Sequence, residues 1–272
     1  MNKIFVYAMT LALFIPGATS CSLFELDNYD APDKTLNVKV VDVATGNPVL
    51  TETSSNGIRI RLVELSFGDN VTPKDHYCSD DGTYHNTKIF KGNYNVRVDG
   101  PFIPIVRETA DGEVLEDGSV TTDILGTTNI EFRVQPFLNV EIVGDPIVSG
   151  GQITAQVKVT RAVSRDEFRE KVEPMGSYQE AFANVTDVRL FVSYSNTLGA
   201  GNSYSSWNGV NNYAGAAFEE LLGQPVTIQS NGTIRPGRKV FIRAAARINY
   251  GTPVGSGNRR YNYSEVKEVN IP

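Results

Sequence analysis

The chain has 272 residues, and its composition (40% hydrophobic, 10% aromatic, 21% charged) is that of a globular protein and not of a disordered or collagen-like one. The formal net charge is −6. Residues 21–135 carry 19 acidic and 10 basic side chains, and residues 136–272 carry 12 acidic and 14 basic ones. This distribution argues against nucleic acid as a partner, because such a partner requires a concentrated basic face.

Residues 1–20 have the pattern of a secretory signal peptide. Lys3 precedes an apolar run over residues 4–15, and small residues then lead directly into Cys21. The run is shorter than the roughly 20 apolar residues that a membrane-spanning helix needs. A cysteine directly after such a cleavage site is typical of bacterial lipoproteins. We therefore expect Cys21 to carry a lipid that holds the protein on a membrane.

Residues 21–34 are predicted to be an acidic, extended tether, since they show no hydrophobic periodicity. Glu25, Asp27 and Asp30 follow the cysteine closely. This arrangement resembles the surface-export signal of lipoproteins from Bacteroidota. The resemblance implies an outer-membrane location with the protein exposed on the cell surface.

Residues 35–135 predict an antiparallel β-sandwich or a small barrel. Four segments alternate apolar and polar residues, which is typical of strands with one buried face. Turn sequences such as Asp81-Gly82 separate them, and no amphipathic helix is visible. The alternating segments are 36–40, 58–62, 94–98 and 130–134.

Residues 136–272 predict a second sandwich, because about seven short strands fit a chain of this length. Two short helices interrupt it. One begins at the capping residue Ser164 and places Phe168 and Val172 on one face, and the other spans Gly215–Gly223. The clearest strand segments are 138–142, 153–159, 188–192, 225–228, 240–248 and 265–271.

A long polar and aromatic loop over residues 195–214, within an insertion spanning residues 195–223, is the candidate ligand site. Sugar rings stack on aromatic side chains, and their hydroxyls pair with amides. Two alternatives remain open. Trp207 could anchor the loop while the asparagines form turns, or the aromatic residues could contact another protein. The candidate residues are Tyr204, Trp207, Asn208, Asn211, Asn212, Tyr213, Tyr261 and Tyr263.

The sequence predicts no catalytic residue, metal or cofactor, and an enzyme is the weakest hypothesis. Cys78 lies two residues from His76, which would place both on one face of a strand, but we favour a half-buried strand residue. No pair of carboxylates stands out as glycosidase-like. The residues from which a metal site could be imagined are Asp75, His76, Asp80, Asp81 and His85, and they lack metal-ligand spacing.

Two segments carry a resemblance to known modules. Residues 40–48, 81–84 and 90–98 resemble the transthyretin-like or carboxypeptidase-regulatory-like module, and residues 234–246 are similar to a fibronectin type III sandwich. A lipoprotein signal followed by these two modules resembles a family of Bacteroidota surface lipoproteins of unknown function, encoded beside SusC/SusD-type transporters.

The family resemblance implies two tandem β-sandwiches and a non-catalytic role in glycan capture and import. The implied partners are a polysaccharide or oligosaccharide and the SusC/SusD-type transporter proteins. A structural alternative is a docking protein that binds the transporter, or another surface protein, without touching sugar.

Overall fold

The structure is a computed structural model that describes residues 30–68, 71–253 and 255–272. The signal peptide, the lipid attachment at Cys21 and most of the predicted tether lie outside the described residues. Within these ranges, no helix has the length and apolar character needed to cross a bilayer. Residues from Asp33 to Pro272 form one compact unit.

The N-terminal half (residues 34–135) contains two facing sheets, with strand orders β4-β1-β9 and β3-β2-β5-β8, and a separate β6-β7 hairpin. β1 pairs antiparallel with β4 and parallel with β9. The strands are β1 (Lys34–Asp42), β2 (Arg59–Glu64), β3 (Lys74–Tyr77), β4 (Thr83–Ile89), β5 (Gly92–Asp99), β6 (Val106–Glu108), β7 (Val114–Asp117), β8 (Val120–Ile124) and β9 (Thr127–Val134).

Alternation along these strands builds the core of the N-terminal half. In β5, Tyr94, Val96 and Val98 are buried, while the residues between them are partly exposed. The same period of two repeats in β9. Because apolar side chains of both sheets point inward, their burial drives the sheets together. The prediction of a sandwich from these segments is confirmed, but the expectation that it is antiparallel is wrong, because β1 and β9 pair in parallel.

The C-terminal half (residues 136–272) contains two antiparallel sheets, with strand orders β10-β11-β14 and β13-β12-β15-β16. The described residues of this half form seven strands, as predicted. They are β10 (Leu138–Ser149), β11 (Gln152–Arg161), β12 (Val185–Ser193), β13 (Gly209–Asn212), β14 (Pro225–Gln229), β15 (Arg238–Ile248) and β16 (Asn262–Ile271).

One of the two predicted helices is present. Helix α1 (Arg165–Val172) begins where the Ser164 hydroxyl accepts a hydrogen bond from the Glu167 N–H, at 3.1 Å, and it buries Phe168 and Val172. The predicted helix over Gly215–Gly223 is wrong. That segment forms turns and a short 3₁₀ helix at Glu219–Leu221 in place of an α-helix, and the glycines at its ends, Gly215 and Gly223, have positive φ angles of 55° and 77°.

Four short 3₁₀ helices complete the described structure. They lie at Leu65–Phe67, Glu173–Met175, Glu180–Ala183 and Glu219–Leu221.

The two halves are joined by buried hydrogen bonds. The Asn262 amide donates to the Pro101 carbonyl at 3.0 Å, and the Thr252 hydroxyl donates to the Gly100 carbonyl at 2.7 Å. The Glu52 carboxylate, which is 1% exposed, accepts from the Gly201 N–H at 2.7 Å. The first residues of β16 therefore lie between the two halves.

Arg243 of β15 is the centre of this junction and is 1% exposed. Its guanidinium lies 4.7 Å from the centroid of the Tyr263 ring, and burial lowers its pKa. The guanidinium donates to backbone carbonyls of both halves, which satisfies most of its donors away from water. These carbonyls belong to Thr51 (2.6 Å), Asp80 (3.2 Å), Leu198 (3.2 Å) and Ser264 (2.8 Å).

Candidate functional site

Three aromatic side chains meet on the surface of the C-terminal half. We call Tyr194, Tyr204 and Trp207 the aromatic patch. Tyr194 directly follows the last residue of β12. The chain then folds back, so that the Tyr204 N–H donates to the Val192 carbonyl at 2.9 Å and the Trp207 N–H donates to the Tyr204 carbonyl at 2.9 Å. These backbone bonds place residues from the two ends of the loop beside each other.

Two of the three rings of the aromatic patch stack on each other, and the third stands edge-on to both. The Tyr204 and Trp207 rings are stacked, with centroids 4.6 Å apart and planes at 30°. Tyr194 stands edge-on to both, 5.3 Å from Tyr204 and 5.2 Å from Trp207. Tyr194 and Tyr204 are 43% and 45% exposed, whereas Trp207 is partly buried against the core. Trp207 thus supports two tyrosines that face solvent.

The loop around the patch is held by its asparagines. The Asn208 side chain accepts from the Val192 N–H at 3.0 Å and donates to the Ser203 hydroxyl at 2.8 Å. The Asn211 amide donates to the Thr227 carbonyl at 3.0 Å. Asn208 and Asn211 therefore fix the backbone, which is the structural alternative considered from the sequence. Asn212, at the end of β13, is exposed.

The expectation of a loop without secondary structure over 195–214 is wrong, since residues 209–212 form β13, which pairs with β12. Gly209 permits this strand, because a Cβ there would lie 2.2 Å from the Gln229 carbonyl oxygen. The neighbouring Tyr213 is half-buried and packs edge-on against Phe218 at 4.7 Å. Tyr213 thus contributes to the core.

Tyr261 and Tyr263 do not belong to the surface site. Each is 5% exposed. The Tyr261 hydroxyl donates to the Asp187 carboxylate at 2.5 Å, and the Tyr263 hydroxyl accepts from the Ala200 N–H at 3.3 Å. Burial raises the pKa of both tyrosines. Their predicted contact with a ligand is wrong, because the N-terminal half and residues 198–201 cover this end of β16.

Asp187 of β12 is the buried centre of an ionic cluster that includes Tyr261. Its carboxylate is 2% exposed and accepts from Arg247 at 2.7 Å, from Arg189 at 2.9 Å and from Tyr261. Burial alone would raise the pKa of Asp187, but these hydrogen bonds outweigh it and the pKa is lowered. The cluster has its polar groups paired internally, which is typical of a structural role.

Tyr194 is not among the site residues predicted from the sequence. The available signal was its position, one residue beyond the predicted strand 188–192, at the entrance of the aromatic loop. The chemistry around the patch is also readable from the sequence. Residues 190–218 contain no Asp, Glu, Lys, Arg or His. A ligand of the patch therefore meets aromatic, amide and hydroxyl groups of an uncharged segment.

Cys78 is fully buried immediately after β3, and burial raises the pKa of its thiol to about 12. A thiol with this pKa is protonated at neutral pH and is a poor nucleophile. The prediction that Cys78 is a half-buried strand residue is thus wrong, because Cys78 is fully buried and lies outside a strand. His76, its sequence neighbour, has a pKa lowered by burial.

The side chains considered as possible metal ligands do not form a cluster in the structure. The Asp75 carboxylate is bound by Arg61 at 2.7 Å and by Arg59 at 3.1 Å. His85 contacts Asn37, and Asp81 accepts from the Thr83 hydroxyl. In the described ranges, no group of three or more His, Cys, Asp or Glu side chains is arranged to hold a metal ion.

The comparisons with known proteins identify relatives over nearly the whole chain. The N-terminal domain model of a family of proteins of unknown function, DUF3823, matches residues 34–135. The crystal structure of a DUF3823 family protein from Bacteroides uniformis is 62% identical, with a TM-score of 0.86, and the alignment covers 89% of this chain and 100% of that chain.

More distant structures share the fold. A putative carbohydrate binding protein from Bacteroides uniformis is 19% identical with a TM-score of 0.59, covering 88% of this chain and 100% of its own. A DUF3823 family protein from Parabacteroides merdae is 17% identical with a TM-score of 0.56, covering 89% and 100%. No curated protein matches the chain.

Proposed function

The chain belongs to the DUF3823 family of proteins of unknown function, and we propose that it binds glycan on the aromatic patch without catalysing a reaction. The observation that carries this proposal is the exposure of Tyr194 and Tyr204, at 43% and 45%, on a segment without charged residues. Large aromatic side chains that are exposed next to each other on a protein surface indicate an interaction site.

The chemistry of the patch suits neutral sugar. The C–H faces of a pyranose ring pack on aromatic rings, and sugar hydroxyls pair with tyrosine hydroxyls and with neighbouring amides and serines. Trp207 fixes the Tyr204 ring by stacking on it at 4.6 Å. A ring held in this way loses little conformational freedom when a ligand binds. An open surface also accepts an internal unit of a long polymer, which an enclosed pocket would exclude.

The name of one structural relative points to the same ligand class. The Bacteroides uniformis protein with a TM-score of 0.59 is named a putative carbohydrate binding protein. At 19% identity this likeness concerns the fold, so the ligand assignment rests on the patch itself.

The proposed location follows from the N-terminal sequence. The Cys21 thiol carries the lipid, Cys21 becomes the N-terminal residue once residues 1–20 are removed, and the lipid holds the protein at the outer membrane, on the cell surface. There it acts as an accessory to glycan import by a SusC/SusD-type transporter. Labelling with radioactive palmitate tests the anchor: the wild type incorporates label, and Cys21→Ala does not. Incorporation by Cys21→Ala would contradict it.

Affinity electrophoresis through gels containing neutral polysaccharides tests the binding proposal. We expect at least one polysaccharide to retard the protein, and Tyr204→Ala or Tyr194→Ala to abolish the retardation. Tyr77→Ala is the matched control, because Tyr77 is 36% exposed and lies on β3 of the other half. The tyrosine variants serve better than Trp207→Ala, since Trp207 also packs on the core.

Protein docking is the second candidate, because Tyr and Trp are also enriched at the centres of protein interfaces. Migration unaffected by every neutral polysaccharide contradicts the proposal for the patch. Loss of transporter co-purification in Tyr204→Ala, together with such migration, would assign the patch to docking.

A further inference from the structure

A second concave site lies in the N-terminal half, where the two sheets part. We call it the inter-sheet cleft. It has a volume of about 360 Å³ and opens between β2 and β3 of one sheet and β4 of the other. β3 and β4 are edge strands, so neither is covered by a further strand on this side. The cleft has the size of the smaller ligand pockets in proteins.

The floor and one wall of the inter-sheet cleft are apolar. Leu62, Ile89 and Tyr94 are buried beneath it, and Phe90 stands at its edge with 37% of its surface exposed. The Tyr94 hydroxyl donates to the Phe90 carbonyl at 3.1 Å, which fixes the segment that carries the exposed ring. A flat ligand ring entering the cleft would meet the aromatic surface of Phe90.

The Glu64 carboxylate has an oxygen that receives no hydrogen bond from the described residues. Its Oε1 atom is buried and has no hydrogen-bond partner among the described residues. The backbone makes room for this arrangement, since a Cβ at Gly92 would lie 2.7 Å from Oε1. Buried carboxylate oxygens are normally paired, so this unpaired one leaves the partly exposed Glu64 carboxylate, which lines the cleft, free to bind a hydroxyl of a ligand.

The rim of the inter-sheet cleft is cationic. Lys74 and Lys88 are both exposed there, and neither forms an ion pair with a carboxylate in the described part of the chain. Their positive charge stands out on a chain whose net charge is −6. Two ammonium groups at a cleft mouth attract an anion by charge and by donating hydrogen bonds.

We propose that the inter-sheet cleft binds one unit of a glycan that carries an anionic group, either the carboxylate of a uronic acid or a sulfate ester. Lys74 and Lys88 hold the anionic group at the rim. The sugar ring packs against Phe90, and a sugar hydroxyl donates to the Glu64 carboxylate. This site is separate from the aromatic patch, which lies on a segment without charged residues.

Titration calorimetry on the purified full-length protein tests the proposal. The probes are an oligogalacturonide, a sulfated galacto-oligosaccharide, the neutral galacto-oligosaccharide of the same length, and sodium acetate and sulfate alone. We expect at least one charged oligosaccharide to bind about tenfold more tightly than the neutral one and than either free anion. Its affinity should fall with added salt.

Variants separate the roles of the side chains. Lys74→Ala and Lys88→Ala should each weaken binding by about fivefold, as expected for partly exposed charge pairs. Glu64→Gln keeps the volume of the side chain and should weaken binding by about tenfold, because a charged acceptor is lost. Lys239→Ala is the matched control, since Lys239 is 56% exposed and lies on β15 of the other half.

Equal affinity for neutral and charged oligosaccharides overturns the proposal, as does the absence of binding by every charged probe. Acetate or sulfate binding as tightly as the sugars also overturns it, because the site would then be a simple anion site. An effect of Lys239→Ala equal to that of Lys88→Ala would overturn it as well, because binding would then depend on the overall charge of the protein. Tyr204→Ala should leave this binding unchanged, so this proposal and the one for the aromatic patch fail separately.

Discussion

Two pairs of tyrosines in the C-terminal half have opposite environments. Tyr194 and Tyr204 border the loop after β12 and face solvent, at 43% and 45% exposure. Tyr261 directly precedes β16, Tyr263 is its second residue, and each is 5% exposed. The residue type is the same, and each pair is accompanied by asparagine and serine in the sequence.

The difference arises from what covers each segment. Asn262, Tyr263 and Ser264 are successive residues of β16, and all are buried. Side chains of a strand alternate between two faces, so burial of successive residues means that both faces are covered. The core of the C-terminal half covers one face, and the junction with the N-terminal half covers the other. Aromatic composition alone therefore does not distinguish a binding surface from an interface within one chain.

The largest effect is expected for Arg243→Ala, which removes the charged centre of the junction around Tyr263. The substitution leaves four backbone carbonyls without their donor in a buried site. A buried acceptor left without a donor costs about 1–3 kcal/mol, so the loss of several partners at once is expected to cost about 3–5 kcal/mol. We expect urea denaturation to show a loss of this order. Arg133→Ala, at a side chain that is 54% exposed, should change stability by less than about 0.5 kcal/mol.

Comparing Tyr261→Phe with Tyr204→Phe tests the difference between the buried and the exposed tyrosines. Removal of the Tyr261 hydroxyl deletes a buried hydrogen bond to the Asp187 carboxylate and should reduce the free energy of unfolding by about 2 kcal/mol. Tyr204→Phe deletes an exposed hydroxyl and should change it by less than about 0.5 kcal/mol. Equal effects in chemical denaturation would show that the two tyrosines have similar environments.

Acid pH should weaken the buried cluster without affecting the patch. The folded-state pKa of Asp187 lies below its ordinary value, so its ionised form stabilises the fold above the unfolded pKa of about 3.9. This stabilisation is lost as the pH falls through the folded pKa. Urea midpoints measured between pH 3 and pH 7 should therefore converge for wild type and Asp187→Asn at the acid end. A constant difference across this range would contradict the assigned ionisation.

The smallest effect on the protein is expected from mild nitration of tyrosine. Tyr194 and Tyr204 should react first, because reagent reaches their rings, while Tyr261 and Tyr263 should stay unmodified until the protein unfolds. Peptide mapping by mass spectrometry measures the order of reaction. Early modification of Tyr263 would show that the junction opens in the native protein.

Much of the fold could be predicted, because apolar residues alternate along most long strands. The segments 94–98 and 130–134 lie within β5 and β9. The predicted strand segments do not include β3, β4, β6, β7, β8 or β13, all of which lie at a sheet edge, and β3 and β13 show the physical reason. They are short edge strands with sequences KDHY and GVNN, and partly exposed strands need no apolar alternation.

The candidate site was predictable only in part. The unusual loop identified Trp207 and Tyr204, but the exposure of their rings depends on how the loop folds back toward Val192. No local pattern in the sequence indicated the inter-sheet cleft. Glu64 and Lys88 are 24 positions apart in sequence and line the same cleft only because the two sheets face each other.

The parallel pairing of β1 with β9 constrains how the N-terminal half folds. Val38 of β1 is opposite Ile130 of β9, so a central strand acquires its second neighbour only when the end of this half is present. Closing a chain segment of this length before such a contact forms carries an entropic cost, and folds rich in distant pairings reach the native state slowly. A nascent chain that stops short of residue 127 therefore leaves one edge of β1 unpaired, and this edge is open to pairing with other chains.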